Sequence, residues 1–295
     1  MGFFKKSGGG VLIDGEAVSS PLKLITESFK TLTMELLPYN FYNGAAVVLN
    51  NEIHILGGEG GAANHYKRVK GQWVQVSTLP YSFYKGTAVV YRGEIHILGG
   101  PSVTHHYKWN GSQWVQVSTL PSNVAKEGIR ACVYNDCIHL MGGTNSSRKH
   151  YSWNGSEWTE QAGPTKGVIY SAVCVYNNEI HMTGGTHLST AHYKFNGTTW
   201  TQVSTLPTGF DNHCMEVVDD EIHIIGGTAD YTRNRHYKWD GSAWTQLDNL
   251  PRNFKQGASV VLDNIFHVLG NSAYTGTNDY KQYWAVGVPI YRKDV

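Results

Sequence analysis

Residues 52–58 read Glu-Ile-His-Ile-Leu-Gly-Gly, and residues 94–100 read the same seven letters. The phrase returns with small changes at Ile138-His139, Ile180-His181 and Ile222-His223, and in a worn form at Phe266-His267-Val268-Leu269-Gly270, where Asn271 replaces the second glycine. Between first glycines (Gly57, Gly99, Gly142, Gly184, Gly226, Gly270) the steps are 42, 43, 42, 42 and 44 residues. A period of about 40 to 50 residues marks a propeller or a solenoid rather than an ordinary globular domain. Six units are present.

Working outward from the glycines, each unit reads as four short strands. An apolar, β-branched run such as Ala45-Ala46-Val47-Val48-Leu49 reaches a polar turn at Asn50-Asn51, and a second run ends at the double glycine. An outer pair follows, marked by a tyrosine and a tryptophan seven residues apart: Tyr66 and Trp73, Tyr107 and Trp114, Tyr151 and Trp158, Tyr193 and Trp200, Tyr237 and Trp244. Asn110-Gly111, Asn154-Gly155, Asn196-Gly197 and Asp240-Gly241 lie between them and predict two-residue type I′ hairpin turns, in which both residues take positive φ. Leu-Pro or Gly163-Pro164 closes each unit, because proline withholds a donor from the outer edge.

A four-stranded sheet cannot hide both faces alone, so successive sheets stack around an axis. The fold class is therefore all-β: a six-bladed propeller of four-stranded antiparallel blades. Residues 29–38 resemble an outermost strand plus Leu-Pro without inner strands before them, while the sixth unit lacks its fourth strand. The N-terminal strand is expected to complete the last blade and close the ring; the alternative donor is 290–295. The blades then span about 39–80, 81–121, 122–164, 165–207, 208–251 and 252–295 plus 29–37. Residues 1–28 form an arm outside the repeat, positioned to dock the ring on a larger assembly, or a frayed tail over 1–10.

Charge is balanced, with 24 Lys plus Arg against 23 Asp plus Glu and a net charge of +1, which offers no field for nucleic acid or anionic lipid. No signal-peptide or membrane-spanning apolar run is present in this sequence. The four cysteines make no CxxC pair and read as small buried side chains. Of fourteen histidines, eleven occupy two periodic slots, six in the Ile-His positions and five at His65, His106, His150, His192 and His236. Equivalent positions in a ring diverge instead of converging, so they are expected to pack structurally rather than hold a metal, and no cofactor is expected. The Asn-x-Ser/Thr sequences at Asn110, Asn145, Asn154 and Asn196 mostly coincide with turns and are assigned no glycan.

A double glycine after the second strand, followed by tyrosine and tryptophan at fixed separation, resembles the kelch repeat over about residues 39–286. Two departures stand out: histidine occupies the second-strand position where tyrosine is common, and the first-strand arginine occurs only as Arg130. The wording Glu-Ile-His-Ile-Leu-Gly-Gly with His-Tyr-Lys-Trp-Asn-Gly-Ser is similar to kelch arrays in tail and other virion proteins of bacteriophages of Gram-positive hosts. That resemblance implies a particle component made in the bacterial cytoplasm.

Loops held by a rigid scaffold carry function, so the inter-blade links and the loops after the double glycines are the expected binding face. The candidate ligand-binding residues are Tyr42, Tyr84, Lys126, Glu127, Arg130, Arg148, Tyr170, His187, Asp211, His213, Tyr231, Arg233, Arg235 and Tyr274. Aromatic rings with amides and hydroxyls suit a sugar face or a polar protein surface. Phe41, Phe83, Phe210 and Phe254 are expected to plug the channel mouth. No nucleophile elbow, phosphate loop or HExxH motif appears. The expectation is a non-catalytic propeller recognising a host surface glycan or protein, or decorating the particle. Two alternatives are a sugar mutarotase using Glu127, Arg130, Asp211, His213 or Glu216, and an intracellular adaptor. A copper-radical oxidase is the remotest reading; Cys174 near Tyr170 and Cys214 beside His213 are its nearest residues.

Overall fold

The computed structural model describes residues 6–7, 10–13, 16–17, 22–24, 30–60, 62–101, 103–122, 124, 127–143, 148–166, 169–185, 188–227, 233–271, 281, 283–288 and 291–293. Six four-stranded antiparallel sheets make a closed ring. Blade 1 runs Ala45–Leu49, Glu52–Leu56, Asn64–Val69 and Gln72–Thr78 from the axis outward, and blades 2 to 5 repeat that order. Blade 6 takes Ala258–Leu262, Ile265–Leu269 and Tyr283–Val288 from the C-terminal end of the chain and Lys30–Thr33 from the N-terminal end. The N-terminal strand is thus the closing strand. Tyr291–Lys293, the rival, pairs instead with Leu22–Leu24. Within the arm, Lys6–Ser7, Gly10–Ile13 and Glu16–Ala17 form a small three-stranded sheet.

Six apolar cores fill the six gaps between blades. Between blades 1 and 2, Ala45, Val47 and Leu56 meet Leu79, Phe83, Ile95, Ile97 and Trp109. The corresponding core between blades 6 and 1 joins Ala258, Val260 and Leu269 to Leu37, Phe41, Ile53 and Ile55, so closure is made by packing as well as by strand pairing. Phe41, Phe83, Phe210 and Phe254 are fully buried in these gaps and do not plug the channel. They also explain the double glycines. Gly57 has φ +61°, and a Cβ there would fall 1.9 Å from the Phe83 carbonyl oxygen; the next residue, Gly58, donates its N–H to that oxygen at 2.8 Å. The worn sixth copy keeps the same bond, from Asn271 N–H to Phe41 O at 3.0 Å.

The periodic histidines are structural in a specific way. His54 Nδ1 lies 2.9 Å from His65 Nε2 on the neighbouring strand, and His96–His106, His139–His150, His181–His192 and His223–His236 repeat the pair at 2.7, 2.8, 2.9 and 2.8 Å. In blade 6 the Tyr283 hydroxyl lies 2.8 Å from His267 Nδ1 and fills the partner's place. Beyond the second histidine, Ser77, Ser118 and Ser204 each lie within hydrogen-bond distance of its Nδ1 and accept the indole N–H of Trp114, Trp158 and Trp244 from the following blade. Burial holds these imidazoles neutral, the second-strand set at about 4 and the third-strand set at about 3. The Glu and Lys of the repeated wording pair across strands, as in Lys67–Glu52, Lys108–Glu94, Lys194–Glu179 and Lys238–Glu221, each at 2.8 Å.

The turns differ from expectation. Asn110 does not take positive φ; only Gly111 does, at +96°. Asn110 Oδ1 instead accepts the N–H groups of Ser112 and Gln113, both at 3.0 Å, and Trp109 pairs with Trp114 across a four-residue loop. Asn154, Asn196 and Asp240 do the same. Two-residue turns with both residues left-handed lie between the first and second strands, at Asn50-Asn51, Arg92-Gly93, Asn135-Asp136, Asn177-Asn178, Asp219-Asp220 and Asp263-Asn264, and between the third and fourth strands of blade 1 alone, at Lys70-Gly71.

Candidate functional site: the axial cavity and its mouth

Each innermost strand is entered through one left-handed residue: Asn43, Lys85, Gly128, Tyr170, Asn212 and Gln256, with φ between 52° and 72°. Their amides form a closed belt. Each N–H donates to the carbonyl of the residue one blade back, from Asn43 to Gln256 (2.6 Å), Lys85 to Asn43 (2.6 Å), Gly128 to Lys85 (3.1 Å), Tyr170 to Gly128 (3.3 Å), Asn212 to Tyr170 (2.9 Å) and Gln256 to Asn212 (3.2 Å). The belt pairs each backbone N–H at these positions with a neighbouring carbonyl, so any donor the mouth offers a ligand must come from a side chain.

Behind the belt lies a cavity of about 460 Å³ on the axis. Its walls near the mouth are small residues, Gly44, Gly86, Gly257, Ala45 and Ala258 among them. Val133, Val175 and Val217 lie deeper, at the register that Val48, Val90 and Val261 hold in a second stretch of the channel. Arg130, His213 and Glu216 are among the polar groups that interrupt this lining. Arg130 makes one hydrogen bond, to the carbonyl of Ile129 at 2.9 Å, and desolvation pulls its guanidinium below the usual range. His213 is buried, with Nε2 2.8 Å from Thr183 Oγ1 and Nδ1 unpartnered; burial, and after it Arg130, holds it at about 3. Glu216 accepts Ser259 Oγ–H at 2.7 Å, yet burial outweighs that bond and pushes its carboxyl up to about 7.

Of the sequence candidates, the cavity gathers Arg130, Tyr170 and His213. Glu127 sits just outside, holding Lys85 at 3.2 Å. Tyr42 and Tyr84 are half-buried beside the belt; the Tyr42 carbonyl accepts Glu59 N–H at 3.0 Å, and Lys85 lies 6.0 Å over the Tyr84 ring. Asp211 and Arg233 share the field of Lys255, whose ammonium is lowered by burial first and then by Arg233, and raised by Asp211. Arg233 Nε is buried without a partner, and Arg235 Nη1 donates to the Tyr237 hydroxyl at 3.4 Å. Arg148 is exposed. Lys126, His187, Tyr231 and Tyr274 lie outside the described residues. Among the described residues no three His, Cys, Asp or Glu side chains converge as a metal-ligand set.

Sequence reasoning missed the belt as a set, although its signal was present: every belt residue stands fourteen positions before the first glycine of its blade. Ser259 was missed because nothing in one blade marks a partner for an acid in the next.

The fold and the axial site define a six-bladed β-propeller. No family model and no curated protein matches the sequence. Among solved structures, one described as "Structure of YjhT" superposes with a TM-score of 0.74 at 14% identity, covering 86% of this chain and 96% of that one. At that identity the likeness speaks to the fold alone.

Proposed function

We propose that the chain is a binding propeller of the kelch type that takes a polar ligand at the belted mouth of its axial channel. The observation that carries this reading is Arg130, a half-buried guanidinium that makes a single hydrogen bond and lines a cavity behind a mouth whose own backbone is paired. A guanidinium with open donors gains from a ligand that fills them. The kelch-like repeat and its phage-like wording supply the setting, a virion or tail component that meets a host surface glycan or protein, with residues 1–28 as the arm toward the particle. The test is retention on a glycan array and on host cell-wall fragments. Wild-type protein is expected to be retained, and a Lys85→Ala, Gln256→Ala double variant to lose retention. Capture that ignores these substitutions, or no capture on any surface component, removes the proposal.

A second reading has one specific observation in its favour. A carboxyl near 7, lining the same cavity as an arginine and an imidazole, suits general acid and base work on a sugar ring. Accelerated interconversion of the anomers of a reducing sugar, abolished by Glu216→Gln, would establish that reading. A rate equal to the spontaneous one across a panel of reducing sugars would end it.

A further inference from the structure

We propose that the axial cavity takes a small monoanion, a carboxylate or a phosphodiester, with the Arg130 guanidinium as its counter-ion. This rests on the cavity being the binding site and names what it binds. At the register of Arg130 the other five blades carry Ala45, Thr87, Ala172, Cys214 and Ala258, so one blade alone puts a cation into a ring of small residues. A guanidinium has five N–H donors, and Arg130 uses one hydrogen bond, to its neighbour's carbonyl. The other cation on the wall, Lys85, is already paired with Glu127. The one carboxylate inside, Glu216, is bonded by Ser259 and is only partly ionised near neutrality. Arg130 therefore faces the cavity as a half-buried charge without an internal partner, which an entering anion supplies.

One free cation matches one negative charge; a dianion would bury a second charge against Glu216. A volume of about 460 Å³ limits the bound part to a small molecule or a terminal unit of a longer chain.

Calorimetry of the full chain against glucuronic acid, its uncharged glucuronamide and bis-glycerol phosphate tests this without relying on a variant. Either anion is expected to bind about tenfold to a hundredfold more tightly than the amide, the range for a hydrogen bond to a charged group. Tighter binding of glucuronate assigns a carboxylate ligand, and tighter binding of the diester a phosphate one. Arg130→Gln, with its melting temperature checked against wild type, is expected to erase the preference. Anion affinity should also fall as pH rises through about 7, where Glu216 ionises, and Glu216→Gln should flatten that profile. The groups facing Glu216 stay fixed over this interval: Cys174 and Cys214 are raised by burial, Cys214 to about 12, while His213 is held at about 3 and Arg130 stays charged. Equal binding of acid and amide, or an Arg130→Gln protein that keeps the preference, overturns the charge assignment and leaves the cavity as a binding site. No heat with any of the three overturns the inference, while retention on the array that depends on Lys85 and Gln256 still upholds the function proposed above.

Discussion

At the scale of single residues, an indole nitrogen can only donate, and one ordering of protons lets the whole histidine chain form from it. Trp158 N–H fills a lone pair of Ser118; the serine proton then goes to His106 Nδ1, and His106 Nε2–H goes to His96 Nδ1. In that order each of the three contacts has one donor and one acceptor. Ser118→Ala leaves a buried indole N–H and a ring nitrogen open together and is expected to cost about 1 to 3 kcal/mol in urea unfolding. Blade 3 offers the opposite experiment. Ala162 stands where the serine would be, and Trp200 Nε1 and the Ala162 carbonyl both approach His150 Nδ1, at 3.3 and 3.1 Å. Ala162→Ser is expected to stabilise the protein by about 0.5 to 1.5 kcal/mol, and a loss would contradict the chain as drawn. Periodicity in the sequence exposed the histidines as structural. It did not expose their serine partners, because Ser-Thr-Leu-Pro reads as the approach to a turn.

At the scale of elements, the strands and the closing segment were legible, and the turns were only partly so. Leu37-Pro38 without preceding inner strands identified the closing strand, and the structure seats Leu37 in the core between blades 6 and 1. A chain lacking residues 1–37 leaves Tyr283–Val288 as an open edge and removes that side chain. Its expected loss is about 3 to 5 kcal/mol in chemical unfolding, with partial recovery on adding a peptide of residues 29–38. Unchanged stability would mean that another segment closes the ring. The Asn-Gly dipeptides misled because the same residues suit two devices, a type I′ turn and an Asx-capped loop, and pairing of Trp109 with Trp114 leaves four residues to span instead of two. Gly111 still needs its positive φ. With open space around its Cβ position, Gly111→Ala isolates the conformational penalty, about 1 to 2 kcal/mol.

At the scale of the whole molecule, eleven paired histidines and His213 tie stability to pH. Their folded values, about 3 to 4, lie below the ordinary 6.5, so between these limits the unfolded chain binds more protons than the folded one. Their contribution is complete above about pH 6.5 and is lost as pH falls toward 3 to 4. Melting temperature should therefore be level above neutrality and drop steeply below about pH 6; a flat profile from pH 7.5 to 4.5 would show that the imidazoles titrate normally. The candidate site was legible only in fragments, since Arg130 and His213 attract notice alone but are brought to one chamber by the ring. The six amides around its entrance are joined head to tail with no free end, so none can swing aside without straining its neighbours. That doorway has a fixed gauge: whatever enters there is sorted by girth before its charge is ever felt.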